Sequence, residues 1–292
     1  MATVDLGFSF VIFLGVTLAL LLTLLHFRQH RQSLARQVQQ VQQLKSLRAL
    51  VAGLQRHRGL SNGVLAGDES MRPGLEKTRR ELDGLISDMP LAQSIYQERW
   101  VALVDHWQRL REDRIREPGD NLAQHHTIIR NAIFLLQDVA AAEGMPSGHE
   151  TYACIWHDVI QAAEWAGQAR ALGTGMAAAG RSTAAQRVRL RFFHQKIRQL
   201  SDKAFATLSS GSVAPEPHLA RAQALVNRLL GDIETDLLGD SIIVIPAQTY
   251  FSNATATIDT LFVLVDDALH RLETTGVRRT SGKPAALQLN PA

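Results

Sequence analysis

The chain has 292 residues, 46% of them hydrophobic, and 31 Lys and Arg against 28 Asp and Glu give a formal charge of +3. That length suits one large domain or two small ones whose core needs no staples, and the charge is too slight to mark a nucleic-acid surface. A single cysteine, Cys154, excludes a disulfide framework and any multi-cysteine metal site, while 6% aromatics and few β-branched runs beyond the N-terminus argue against an all-β fold.

From Leu6 to Leu25 no residue is charged, and most are Leu, Val, Ile, Phe or Ala. At about 1.5 Å per residue this stretch spans a hydrocarbon core of roughly 30 Å. A secretory signal would open on basic residues and close on a small-residue cleavage site. This chain opens Met-Ala-Thr-Val-Asp and leaves the span through Leu-Leu-His-Phe-Arg, which reads as an anchor. Asp5 precedes the span, whereas Arg28, Arg31, Arg36, Lys45 and Arg48 follow it. The basic flank stays inside, so residues 28–292 are expected on the cytoplasmic side of the inner membrane. His26 and His30 share a helix face at a wet interface, a better reading than a metal pair.

Prolines divide the remainder. Pro73, Pro90, Pro118, Pro146, Pro215, Pro217 and Pro246 each suit a helix's first turn and break its interior. Between them the apolar period is helical. The expected helices run over about 28–67, 73–88, 90–116, 119–143, 148–179, 183–209, 216–238 and 247–275. The fold class is all-α: an N-terminal transmembrane helix followed by antiparallel helical bundles, with a long first helix continuous with the span. Residues 1–27 are expected to form the anchor, 28–276 a helical domain and 277–292 a disordered tail. Ser241 to Pro246 looks strand-like without a partner strand and is expected to be a buried connector. The Gln-rich start of the first helix (Gln37, Gln39, Gln40, Gln42, Gln43) suits an exposed stalk or pairing with a second copy as a homodimer.

Two arginines break apolar seams. Leu44, Leu47, Val51, Leu54, Arg58, Ser61 and Leu65 step by 3 and 4, and Arg58 fills a slot suited to Leu. On the fifth helix, Tyr152, Trp156, Val159, Ala163, Ala166, Arg170, Gly173 and Ala177 form a similar line with Arg170 as its one charge. Neither arginine has an acid at i±3 or i±4, and a guanidinium withdrawn from water needs a counter-charge. Two of them beside Gly and Ser or Thr (Ser61, Gly173, Thr174) suggest a compact site for a flat oxyanion. The alternative is pairing with an acid from another helix; Glu81, Asp105, Asp138, Glu143 and Glu164 are the candidates.

Gln55-Arg-His-Arg-Gly-Leu-Ser61 resembles the first signature of the nitrate/nitrite-sensing (NIT) family, and Glu164-Trp-Ala-Gly-Gln-Ala-Arg-Ala-Leu-Gly173 its second, about 110 residues later. Thr127 to Gly144, Tyr250-Phe251 and Ile258-Asp259 are also similar, so the resemblance covers about 40–275. It implies an all-helical sensor of two four-helix bundles with nitrate or nitrite held by arginines near where they meet. Arg58 and Arg170 match the motif arginines. Arg56 stands where the family varies, His57 replaces a more usual Glu, and Arg189 and Arg228 are candidates for further family arginines. The family's usual output modules are missing after the eighth helix, so the signal is expected to pass to a partner protein or along the first helix.

Nothing points to catalysis, a cofactor or a metal. His125, His126, His149 and His157 are scattered without metal spacing. Cys154 and His157 lack an orienting acid and an oxyanion loop, and Gly173-Thr-Gly175 lies within a helix rather than after a strand. Trp100, Trp107, Trp156 and Trp165 suit packing. The competing reading is a membrane-tethered helical adaptor that binds a protein partner and no small ligand; in it both arginines pair with internal carboxylates.

Overall fold

The computed structural model describes residues 2–65, 69–89, 91, 94–112, 117–142, 150–211, 213–239 and 242–280. Every regular element among them is helical. Helix α1, Ala2–Leu65, is 64 residues long, about 96 Å at 1.5 Å per residue. A 3₁₀ turn, Glu69–Met71, leads into α2, Arg72–Ser87, with Pro73 in its first turn. Helix α3 is Gln97–Arg111, and α4, Pro118–Ala140, opens on its proline. Helix α5 covers 150–179 as Glu150–Cys154, a π-helical turn Ile155–Val159, and Ile160–Ala179. Helix α6, Ala184–Ser209, starts at a capping box: Thr183 Oγ1 accepts from Gln186 N and Gln186 Oε1 from Thr183 N. Helix α7 covers 216–237, Glu216–Asp232 ending in a π turn, Ile233–Leu237; α8 is Ala247–Thr280.

These helices form two bundles. In the first, α1 lies against α2 and α4, with α3 on α4. In the second, α5 lies against α8 and α6, and α7 closes on α6 and α8. Helix α1 also runs antiparallel to α8: Lys45 pairs with Glu273 at 2.8 Å and Arg48 with Asp266 at 2.6 Å, while Gly59 faces Phe251. The expected seam is the core of the first bundle: Leu44, Leu47, Val51 and Leu54 are all fully buried. The π turn in α5 adds a tie between bundles, since the Trp156 carbonyl there accepts from Gln137 Nε2 of α4 at 3.1 Å.

The first part of α1 is different. From Phe13 to Phe27 its large apolar side chains are exposed, and this helix is long and apolar enough to cross a membrane.

Some expected boundaries move. Helix α3 begins at Gln97 rather than near 90: Leu91 and Ser94 to Tyr96 are turn and bend, with Ser94 N donating to Leu91 O, and Pro90 lies outside the described residues. Helix α8 continues to Thr280, into the stretch expected as tail; residues 281–292 lie outside the described residues, as do 113–116 and 143–149, which hold the expected boundaries near 116, 143 and 148 and also Glu143, Pro146 and His149. The connector before α8 is not buried as a whole. Ile243 is buried and its N–H donates to the Gly180 carbonyl at 3.2 Å, but Ile242 and Val244 are 72% and 82% exposed. An extended chain sends alternate side chains to opposite sides, and here only one side has a bundle to cover it. Gly180 ends α5 with φ +63, the left-handed conformation glycine adopts without strain.

Candidate functional site

The crossing of α1 with α5 and α8 brings the two seam arginines into one region and gives them opposite surroundings. Arg58 is 1% exposed and grips the Glu164 carboxylate with both arms of its fork: Nη1 donates to Oε1 at 2.6 Å and Nη2 to Oε2 at 3.3 Å. Gln55 Nε2 donates to Oε2 at 2.8 Å and Gln168 Nε2 to Oε1 at 3.0 Å. The carboxylate is thus fully used, and Arg58 needs no outside anion. Gly167 makes this possible, because a Cβ there would sit 2.6 Å from Arg58 Nη2.

Arg170 has no such partner. Its Nη1 donates to Thr255 Oγ1 at 2.9 Å and Nη2 reaches the Gln55 carbonyl at 3.5 Å, both neutral acceptors. The guanidinium stands 5.0 Å from the centre of the Phe251 ring. Among the described residues no carboxylate comes within ion-pair distance of it. Burial, then the like charge of Arg58, pushes its pKa down to about 10, with Asp259 and Glu164 pulling the other way.

Arg170 lines a cavity of about 400 Å³ between α1 and α2 on one side and α5 and α8 on the other. Gln55, Thr78, Phe251, Thr255 and Phe262 contribute to the wall. At the mouth stand Arg56, Lys77, Glu81 and Asp259; Arg56 reaches Glu81 at 3.3 Å and Lys77 reaches it at 3.8 Å, all three well exposed.

The other expected site residues lie off these walls. Ser61 faces α4, where Asn121 Nδ2 donates to its hydroxyl at 3.1 Å. Gly173 makes room for Tyr250: a Cβ there would lie 2.5 Å from Cζ and 2.7 Å from the hydroxyl, which donates to the Ala169 carbonyl at 3.1 Å. The Thr174 hydroxyl is buried without a hydrogen-bond partner, as is Gln55 Oε1. Thr255, Lys77 and Thr78 were not anticipated. They reach the cavity only through the crossing of distant helices, and nothing in their local sequence marks them.

A second unanticipated cluster lies inside the first bundle. His125 Nδ1 faces the Asn121 carbonyl at 2.7 Å and must carry a proton, leaving Nε2 to accept from His57 Nδ1 at 2.8 Å. His57 Nε2 then accepts from Arg79 Nε at 3.3 Å. Both rings are neutral: burial holds His125 down to about 3 and pushes His57 well below its ordinary value. Among the described residues there is no group of three metal-ligating side chains. Cys154 is buried, its thiol pushed up to about 12 by desolvation, which makes it a poor nucleophile.

A comparison with curated protein sequences finds no match. Among solved structures the chain is similar to one described as the structure of the NasR transcription antiterminator, at 21% sequence identity and a TM-score of 0.60, covering 87% of this chain and 73% of that one. At that identity the likeness carries the fold alone. The family model described as nitrate and nitrite sensing matches residues 49–273, which contain both arginines, the cavity and most of both bundles. That match takes in more than half of the sequence, and the chain belongs to the nitrate- and nitrite-sensing (NIT) family.

Proposed function

We propose that this chain is a membrane-anchored signalling protein whose sensor domain binds nitrate or nitrite in the cavity between the bundles, against Arg170. The observation that carries the reading is the buried guanidinium of Arg170, which meets only neutral acceptors and faces open space. A small planar anion there supplies the missing counter-charge and is held by a fork with fixed N–H directions. The cavity exceeds one such ion, so the ligand arrives with part of its water.

Family membership supports a role in sensing and signalling rather than catalysis. The cavity touches α1, α2, α5 and α8, so a bound anion favours whichever packing of the two bundles brings its ligands together. That change passes along α1, through the exposed apolar stretch Phe13 to Phe27 in the membrane, or to a partner protein on the cytoplasmic side. Arg28, Arg31 and Arg36 beyond the span support that orientation.

The helical-adaptor reading is favoured by one observation, the internal pairing of Arg58 with Glu164. It leaves Arg170 without an explanation. Thermal melting of the full chain in detergent, with and without nitrate, nitrite and formate, separates the two: a ligand raises the melting temperature, whereas no shift with any small anion supports the adaptor.

A further inference from the structure

We propose that Glu164 sets the charge of the ligand: by neutralising Arg58 inside the fold it leaves one uncompensated guanidinium, so the site accepts a singly charged oxyanion and rejects a doubly charged one. The proposal builds on the reading of the Arg170 cavity as an anion site.

Three charges are buried at the crossing of α1 and α5: Arg58 at 1% exposure, Glu164 at 6% and Arg170 at 7%. Glu164 belongs to Arg58 by geometry, with four hydrogen bonds from Arg58, Gln55 and Gln168 filling both of its oxygens. Gln168 lies one turn further along the same helix, so the carboxylate is held from both sides, on Arg58. A net single positive charge remains, at the cavity wall. The charged groups at the mouth, Arg56, Lys77, Glu81 and Asp259, are exposed and their formal charges cancel; water and salt screen them, so they do not fix the ligand's valence. An uncompensated charge in a buried site is strongly disfavoured. A monoanion brings the buried charge to zero, whereas a dianion such as sulfate leaves a negative charge in its place. Removing the Glu164 charge raises the buried count by one and makes a dianion the matching ligand.

The test is calorimetric titration of the full chain in detergent with sodium nitrate and with sodium sulfate at constant ionic strength. The variants are Glu164→Gln and the pair replacement Arg58→Met with Glu164→Leu. Wild type is expected to prefer nitrate over sulfate at least tenfold. Glu164→Gln shifts that ratio at least tenfold toward sulfate. The pair replacement, which leaves the buried charge unchanged, keeps the wild-type preference. An unaltered ratio in Glu164→Gln, or sulfate binding by the pair replacement, overturns the proposal, and the second arm stands even where the first variant does not fold. Failure of the wild-type chain to bind nitrate counts against the sensor reading alone; the gain of sulfate affinity in Glu164→Gln over wild type still decides the role of Glu164.

Discussion

Replacing the two seam arginines one at a time, each by Met, should move stability in opposite directions. Arg170 is protonated at neutral pH in both the folded and the unfolded chain, but its folded pKa is pushed down from the ordinary guanidinium range to about 10. At about 1.4 kcal/mol per unit, its charge weakens the empty fold by on the order of 3 kcal/mol. For a base depressed by folding, that weakening is complete below about pH 10 and fades as pH rises above it toward the ordinary guanidinium range. Arg170→Met removes it and loses the hydrogen bond to Thr255 and the stacking on Phe251, about 1 kcal/mol each. The expected net effect is a gain of about 1 kcal/mol, a rise of roughly 2–4 °C in a domain of this size. Arg58→Met instead leaves Glu164 buried with only two amides, a loss of about 3–5 kcal/mol. Replacing Arg58 by Met and Glu164 by Leu together removes both charges and should fall within about 1–2 kcal/mol of wild type. Thermal and denaturant unfolding of the full chain in detergent, with no oxyanion added, measures all three. Arg170→Met losing as much stability as Arg58→Met would refute the assignment of Arg170 as the unpaired charge.

Gly173→Ala drives a methyl group into the Tyr250 ring and should cost about 1–3 kcal/mol, while Gly175→Ala, with nothing within 4 Å, should gain about 0.5–1 kcal/mol from helix propensity; equal melting temperatures for the two variants would contradict the packing described for Tyr250. Gly167→Ala displaces Arg58 Nη2 from its place over α5 and should destabilise as Arg58→Met does, though less, because the arm is the end of a flexible side chain. Acid should loosen the first bundle. His125 binds its proton in the unfolded chain near pH 6.5 and in the fold only near 3, so stability falls as pH drops through that window. His125→Gln should flatten the dependence of melting temperature on pH between about 6 and 4, and an unchanged slope would show that the His57–His125 pair does not contribute to it.

Much of the fold could be read from local signals, because they coincide with what ends a helix. Pro73 and Pro118 do stand in first turns, Thr183 with Gln186 forms a cap, and Gly180 closes α5. The seam through Leu44, Leu47, Val51 and Leu54 is fully buried, as a period of 3.6 requires. The connector before α8 misled because its apolar run fits a buried strand equally well, and only the position of the bundle decides which alternate side chains are covered. At the site, both arginines stood out as charges on apolar seams. Which acid met Arg58 did not, since five carboxylates were candidates and the choice of Glu164 depends on where α1 crosses α5, a contact 106 residues apart in sequence. Gly167, one turn after Glu164, was the available clue. The His57–His125 pair was likewise hidden: His57 lies in the first motif, but its partner stands 68 residues away on a helix position that neither motif names.

In the proposed sensor an unneutralised Arg170 is the ligand's anchor. Calorimetric titration of the full chain with sodium nitrate, wild type beside Arg170→Met, tests it most directly. Saturable one-to-one binding by wild type, reduced at least a hundredfold in a variant that melts no lower than wild type, is the predicted result. Equal nitrate affinity in the two proteins would contradict it.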